Sequence, residues 1–148
     1  MQLDSLYQEV ILDHYKRPEF KQLNRDFQIA VHHVNPSCGD EITLHLSLDE
    51  QRLIQLTWNG VGCSISMASA SVMAGLLNQK TLEQSEPILK SFTLLMQSKG
   101  RESGDEEILE DAVAFSGVSK YPARIKCALL AWMAFKDAAV QLQGRGKR

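Results

Sequence analysis

The stretch Gly60-Val-Gly-Cys-Ser-Ile-Ser-Met-Ala-Ser-Ala-Ser-Val-Met73 constrains this chain more than any other. It predicts a glycine turn that opens directly into a helix of small residues, from about Ser64 to Asn78, with Cys63 at the junction. The first N–H groups of a helix lack intrahelical partners and carry the positive end of its dipole, so a thiolate, sulfide or other anion is favoured there. Cys63 is therefore a candidate for a depressed pKa and for reactivity. Gly60 and Gly62 suit backbone with positive φ, and Ser64, Ser66, Ala68, Ser69, Ala70 and Ser71 let other groups come close. The plainer reading makes Cys63 a small buried hydrophobe beside a tight strand-to-helix turn.

Upstream of this stretch the apolar period is two. Phe27 to Val34 reads as a strand, Asn35-Pro-Ser-Cys-Gly-Asp40 as a turn, and from Glu41 onward Ile42, Leu44, Leu46 and Leu48 alternate with Thr43, His45 and Ser47. A polar connection at Asp49 to Arg52 leads to a third strand carrying Ile54, Leu56 and Trp58. In a three-stranded antiparallel meander the first and third strands end at the same edge, which brings the Cys38 loop close to the Cys63 turn.

Elsewhere the period is helical. Residues 3 to 16 place Leu3, Leu6, Tyr7, Val10, Ile11 and His14 on one face, with Asp4 or Ser5 as a cap and Pro18 beyond the end. The basic segment Lys16 to Arg25 is a loop, read either as solvated or as a partner-docking surface. Thr81 caps a short helix and Pro87 opens another, with Ile88, Leu89, Phe92, Leu95 and Met96 inward. After a loop at 99–104, acidic residues from Glu102 to Asp111 cluster around the start of a helix whose core side is Ile108, Leu109, Ala112, Val113 and Phe115; the helix dipole accounts for that cluster without a function. The longest helix begins near Pro122 and turns Ile125, Ala128, Leu129, Trp132, Phe135, Ala139 and Leu142 to the core, and the tail from Gly144 is expected to be disordered. With no internal repeat and no linker that would split it, the chain is expected to form one domain spanning 1–148.

A net charge of −2 gives no general attraction to nucleic acid or to an anionic membrane. The longest apolar run, Ala128 to Phe135, has eight residues and is far too short to span a bilayer. No basic region followed by an apolar run opens the sequence, so the expected location is cytoplasmic. Three cysteines, with no Cys-x-x-Cys pair, argue against a disulfide framework and for free thiols, a metal site or thiol chemistry.

Each cysteine falls at a loop or a helix start, outside the middle of any apolar stripe. Asp40, two residues after Cys38 in the same glycine-containing loop, is a natural fourth donor. Three thiolates and a carboxylate suit tetrahedral zinc, and thiolate-rich sites also suit iron-sulfur clusters. Spacing thus points to a metal or persulfide site of Cys38, Asp40, Cys63 and Cys127. Arg124 and Lys126 stand beside Cys127, where positive charge lowers a thiol pKa. His14, His32, His33 and His45 compete weakly for the fourth position; the adjacent pair on a strand must face opposite ways.

Asn35-Pro-Ser-Cys-Gly-Asp40, the Gly60 to Ser71 segment and Tyr121-Pro-Ala-Arg-Ile-Lys-Cys127 resemble, in order and nearly end to end, the three signature segments of the IscU/NifU N-terminal iron-sulfur assembly family. Within it the chain is most similar to the SufU branch. Lys126 stands where the IscU branch has a histidine, the chaperone-recognised Leu-Pro-Pro-Val-Lys segment is missing, and the interval between Cys63 and Cys127 is longer. The resemblance implies an α+β fold, a three-stranded antiparallel sheet packed against helices, SufE/NifU-like, with the cysteines and Asp40 gathered at one exposed end. It further implies a pyridoxal-phosphate cysteine desulfurase of the SufS type as partner, together with other cluster-assembly or recipient apoproteins. Two functions follow from it. One is a zinc-dependent sulfur acceptor, in which Cys38 takes persulfide sulfur while Asp40, Cys63 and Cys127 stay on the metal; the other is a scaffold for a transient [2Fe-2S] cluster passed to apoproteins. A structural zinc domain that regulates a partner is a third reading, opposed by the wide spacing of the ligands and by a chain large enough to fold without metal.

Overall fold

The computed structural model describes residues 5–145. Helix α1 (Ser5–Lys16) precedes a sheet of β1 (Ile29–Asn35), β2 (Asp40–Leu48) and β3 (Ile54–Val61), followed by α2 (Ser64–Leu77), α3 (Leu82–Gln97), α4 (Glu106–Leu109), a 3-10 helix (Glu110–Lys120) and α5 (Pro122–Arg145). The strands lie in the order β1-β2-β3, both pairs antiparallel, as the alternation requires. Asn35 pairs with Asp40 and Glu41 with Val61, so the end of β1, the start of β2 and the end of β3 share one end of the sheet.

The inward face of the sheet carries Ile29, Val31, Ile42, Leu44, Leu46, Leu56 and Trp58, all buried, and α5 covers it against β1 and β2. Side chains of this kind, removed from water, are worth about 1.5–3 kcal/mol each. The free edge of β3 is closed by loops: Ile54 N–H donates to Lys80 O, Leu56 N–H to the Asn78 side chain and Trp58 N–H to Phe20 O. That coverage removes the pairing hazard of an open edge strand. The basic segment after α1 is therefore partly committed to the fold, since it supplies Phe20 O and places the Lys21 ammonium 5.6 Å from the centroid of the Trp58 ring.

The small residues of α2 are spent on close packing. Ser69 Oγ donates to Ala128 O at 2.6 Å and accepts from Trp132 Nε1 at 3.0 Å, which pins α2 to α5 within one turn of Cys127. His14 clasps three elements at once, with Nδ1 2.8 Å from Ser71 Oγ and Nε2 3.0 Å from Asp111 Oδ2.

Three helical expectations need correction. The two short helices expected around Pro87 are one, α3, opened by a full capping box between Thr81 and Gln84 and carrying Pro87 inside. Its buried face, Leu82, Ser85, Ile88, Phe92, Leu95 and Met96, runs unbroken past the proline, and that packing outweighs the lost hydrogen bond. The helix expected over 108–115 is four α-helical residues that give way at Glu110, with φ 48°, to a 3-10 helix. Four consecutive buried residues there, Ala112 to Phe115, contact core on more than one side, which a one-faced α-helix cannot provide. Gly144 and Arg145 continue α5, and Arg145 reaches Gln28 O at 2.6 Å. The rest of the expected disordered tail, like Leu3 and the Asp4 cap, lies outside the described residues.

Candidate metal centre

The shared sheet end is where the signature segments meet. Gly39, at φ 70°, turns the chain between Cys38 and Asp40, a conformation that penalises any residue with a Cβ. Cys38 is left exposed at the tip, its N–H on Asn35 O at 3.2 Å, while Asp40 begins β2 and is 1% exposed. Asp40 Oδ1 accepts the Cys63 N–H at 2.9 Å, which binds the β1–β2 turn to the β3–α2 turn. Gly62 permits that approach, because a Cβ there would run into the Asp40 carboxylate and sit 2.9 Å from Ser66 Oγ.

Cys127 arrives from the first turns of α5. Its Sγ donates to Cys38 Sγ at 3.5 Å, and the donor atoms of Cys38, Asp40 and Cys127 all lie within 4.8 Å of one another. Among the described residues these three form the one such group of metal-ligating side chains. Zn–S bonds of about 2.3 Å place two thiolates of a tetrahedral site roughly 3.7 Å apart, close to the spacing of Cys38 and Cys127. The second carboxylate oxygen, Asp40 Oδ2, is buried without a hydrogen-bond partner among the described residues. Burying a carboxylate oxygen unpaired is expensive, and a cation held by these side chains would satisfy it. The donor set therefore fits zinc or iron.

Cys63 stands slightly apart. It is the N-cap of α2, but its side chain accepts no helix N–H; the sulfur lies 3.3 Å from Ser66 Oγ, which also donates to Cys63 O at 3.1 Å. The expected contact between this thiol and the open amides is thus replaced by a hydroxyl, and the Cys63 backbone N–H is the group that faces the carboxylate. Its sulfur is outside the 4.8 Å group yet near enough to Cys127 to act on that thiol.

Cys127 corrects a second expectation. It is fully buried at the head of the apolar run, and that burial pushes its thiol well above the ordinary range, reinforced by hydrogen bonding to Cys38 and by Cys63 and Asp40. Burial and neighbouring acids outweigh Arg124, which is exposed on α5 and whose own pKa is raised by hydrogen bonding to Cys127 and by the charges of Cys63, Cys127 and Cys38. A metal ion would reverse the balance by favouring thiolate. Lys126 is exposed and makes no hydrogen bond or ion pair among the described residues.

The histidines are engaged elsewhere: His14 in its clasp, His32 with Thr43 Oγ1, His33 with Asp137 and His45 with Asn24 O. Two participants carried no sequence signal of their role. Ser66 was visible only as a small residue, although its position three after an N-cap is where a side chain can reach back. Asn35, buried with Nδ2 unpartnered beside the site, looked like turn punctuation.

The profile of the NifU-like N terminal domain matches residues 6–145. The chain is 44% identical over 142 residues to the zinc-dependent sulfurtransferase SufU of Bacillus subtilis, covering 96% of this chain and 95% of that protein. It is 39% identical over 137 residues to the iron-sulfur cluster assembly scaffold protein IscU of Streptococcus pyogenes, covering 92% and 84%. A crystal structure from Fervidobacterium islandicum, described as a scaffold protein for the SUF system, superposes with a TM-score of 0.81 at 32% identity, covering 91% of this chain and 97% of that one.

Proposed function

This chain belongs to the NifU-like N-terminal domain family, and from that premise we propose that it binds zinc and accepts persulfide sulfur from a cysteine desulfurase for iron-sulfur cluster assembly. The observation that carries the reading is the pairing of an exposed thiol, Cys38, with a buried thiol 3.5 Å away and a buried, unpartnered carboxylate oxygen. One ligand is exposed and reachable from outside, and the other two are buried. The name of the Bacillus subtilis relative, a zinc-dependent sulfurtransferase, agrees with it.

Asp40 and Cys127 hold the metal in this reading, and Cys63 joins by turning its sulfur from Ser66 Oγ toward them. Bound zinc keeps the thiols as thiolates near neutral pH and leaves a weakly held one free to exchange. Cys38 is that one, because it lies in a glycine turn and is exposed. Its thiolate attacks the terminal sulfur of the desulfurase persulfide. A new S–S bond forms at Cys38, the donor's S–S bond breaks, and the donor cysteine leaves as thiolate. Arg124, exposed at the rim and within electrostatic reach of the sulfurs, holds the anionic sulfur in place during transfer, with Lys126 adding positive charge nearby. The partner is a SufS-type desulfurase, and recipient apoproteins lie downstream.

Asp40 also favours a second reading, because a carboxylate exchanges more readily than a fourth thiolate and a scaffold must release its cargo. The same residues would then build a [2Fe-2S] cluster and pass it on, as the names of the IscU relatives suggest.

Mixing the chain with a pyridoxal-phosphate cysteine desulfurase and cysteine, then mapping added sulfur by mass spectrometry, tests the proposal. Persulfide is expected on Cys38, and Cys38→Ser should abolish acceptance. Persulfide on Cys63 or Cys127 instead, or on none of the three, would overturn the acceptor role.

A further inference from the structure

The two sulfurs that approach within 3.5 Å differ in every respect relevant to oxidation. Cys38 is exposed at the tip of a short turn that Gly39 shapes at φ 70°; Cys127 is fully buried on α5, which Ser69 and Trp132 tie to α2 one turn later. Cys63 is turned toward Ser66 Oγ. A disulfide needs its sulfurs about 2.05 Å apart, and the remaining gap can be closed by movement of the Cys38 turn alone. We propose that Cys38 and Cys127 form a reversible intramolecular disulfide when the metal-free chain meets a peroxide, closing the site to metal and to sulfur together.

The chemistry balances with hydrogen peroxide as the oxidant. Cys38 attacks a peroxide oxygen; the O–O bond breaks, one water is released and Cys38 becomes a sulfenic acid. Cys127 then attacks the Cys38 sulfur as its thiol proton passes to the departing hydroxyl; the S–O bond breaks, a second water leaves and the S–S bond forms. Two thiols lose two electrons and the peroxide gains them. An external dithiol restores both thiols by exchange. Because Cys127 is already within reach, the sulfenic acid is captured before further oxidation, so the damage that would be irreversible at an isolated exposed thiol stays reversible here. The consequence, though not the chemistry, rests on the function proposed above: the bridge consumes the sulfur acceptor and a metal ligand in one step.

The full-length chain, stripped of metal with a chelator and reduced, is treated with stoichiometric hydrogen peroxide, alkylated and mapped without reduction. Two of its three thiols should disappear into a Cys38–Cys127 bridge with Cys63 alkylated, and dithiothreitol should return all three. Cys63→Ser should form the same bridge, and Cys127→Ser should leave Cys38 as a sulfenic acid that dimedone captures. A dominant bridge containing Cys63, a dimer linked between chains, or peroxidation of Cys38 to sulfinic acid in the unsubstituted chain would each overturn the proposal. Zinc binding and sulfur acceptance by the never-oxidised reduced chain are read in parallel. Their failure overturns the proposed function and leaves the bridge standing, whereas a wrong bridge overturns this inference alone.

Discussion

Asp40 divides its two oxygens between structure and chemistry. Oδ1 holds the Cys63 N–H and so joins the two turns, while Oδ2 is buried without a hydrogen-bond partner among the described residues. The division predicts different outcomes for two substitutions. Asp40→Asn keeps an acceptor for the Cys63 N–H but exchanges the carboxylate for an amide, a poor ligand. It should fold as the unsubstituted chain does and bind zinc more weakly by at least the 10- to 100-fold typical of losing an outer-shell partner. Competition with a metallochromic chelator reads the affinity, and unchanged binding would show that Asp40 is structural alone. Asp40→Ala removes both roles and should also loosen the Cys63 turn. At this scale the sequence points to the neighbourhood of Cys38, Asp40 and Cys127 but not to how the side chains are turned, nor to Cys63 standing apart from them. Asp40 was legible from its place two residues after Cys38. The rotation of Cys63 toward Ser66 was not, because it depends on a side-chain rotamer. The burial of Cys127 is partly legible, since Ala128 to Phe135 directly follows it; the cations at 124 and 126 are plain in the sequence, but the desolvation that opposes them depends on the packing of α5.

At the scale of elements, the sheet and α2 read cleanly because their signals are local: strict alternation across 41–48, and a glycine turn before the small-residue helix. The region between α2 and α5 read poorly because its structure is decided by packing. Phe92 stacks on Trp132 with ring centroids 4.2 Å apart and meets Phe115 edge-on at 6.1 Å, so α3 and the 3-10 helix are shaped by the same aromatic cluster on α5. Pro87 marked a break by local rules, yet the cluster and the cap at Thr81 keep α3 whole. The Thr81 side chain accepts the Gln84 N–H at 3.1 Å while the Gln84 side chain accepts the Thr81 N–H at 2.9 Å. Thr81→Ala should therefore cost about 1 kcal/mol of stability in urea unfolding. Zinc content should be unchanged, because α3 supplies none of the site residues. A loss of metal in this variant would show that α3 and the site are coupled.

Across the whole molecule, three segments far apart in sequence converge on one end of the sheet. The β1–β2 turn brings Cys38 and Asp40, the β3–α2 junction brings Cys63, and α5 brings Cys127, each set by elements whose cores are buried independently of any metal. Among the described residues no helix is long and apolar enough to cross a membrane. Convergence of this kind was inferable from the sequence only as far as the meander, which places the first two segments together; the arrival of α5 needed the Ser69 hydrogen bonds and the packing of Trp132 that tie it to α2. In the function proposed above, this end of the fold is a zinc site with one exchangeable thiol. It is tested most directly by metal analysis and a visible spectrum of the freshly purified, full-length chain. One zinc per chain in a colourless sample is the predicted result. Iron with matching acid-labile sulfide and visible absorbance, or a reduced chain that holds no metal, would contradict it.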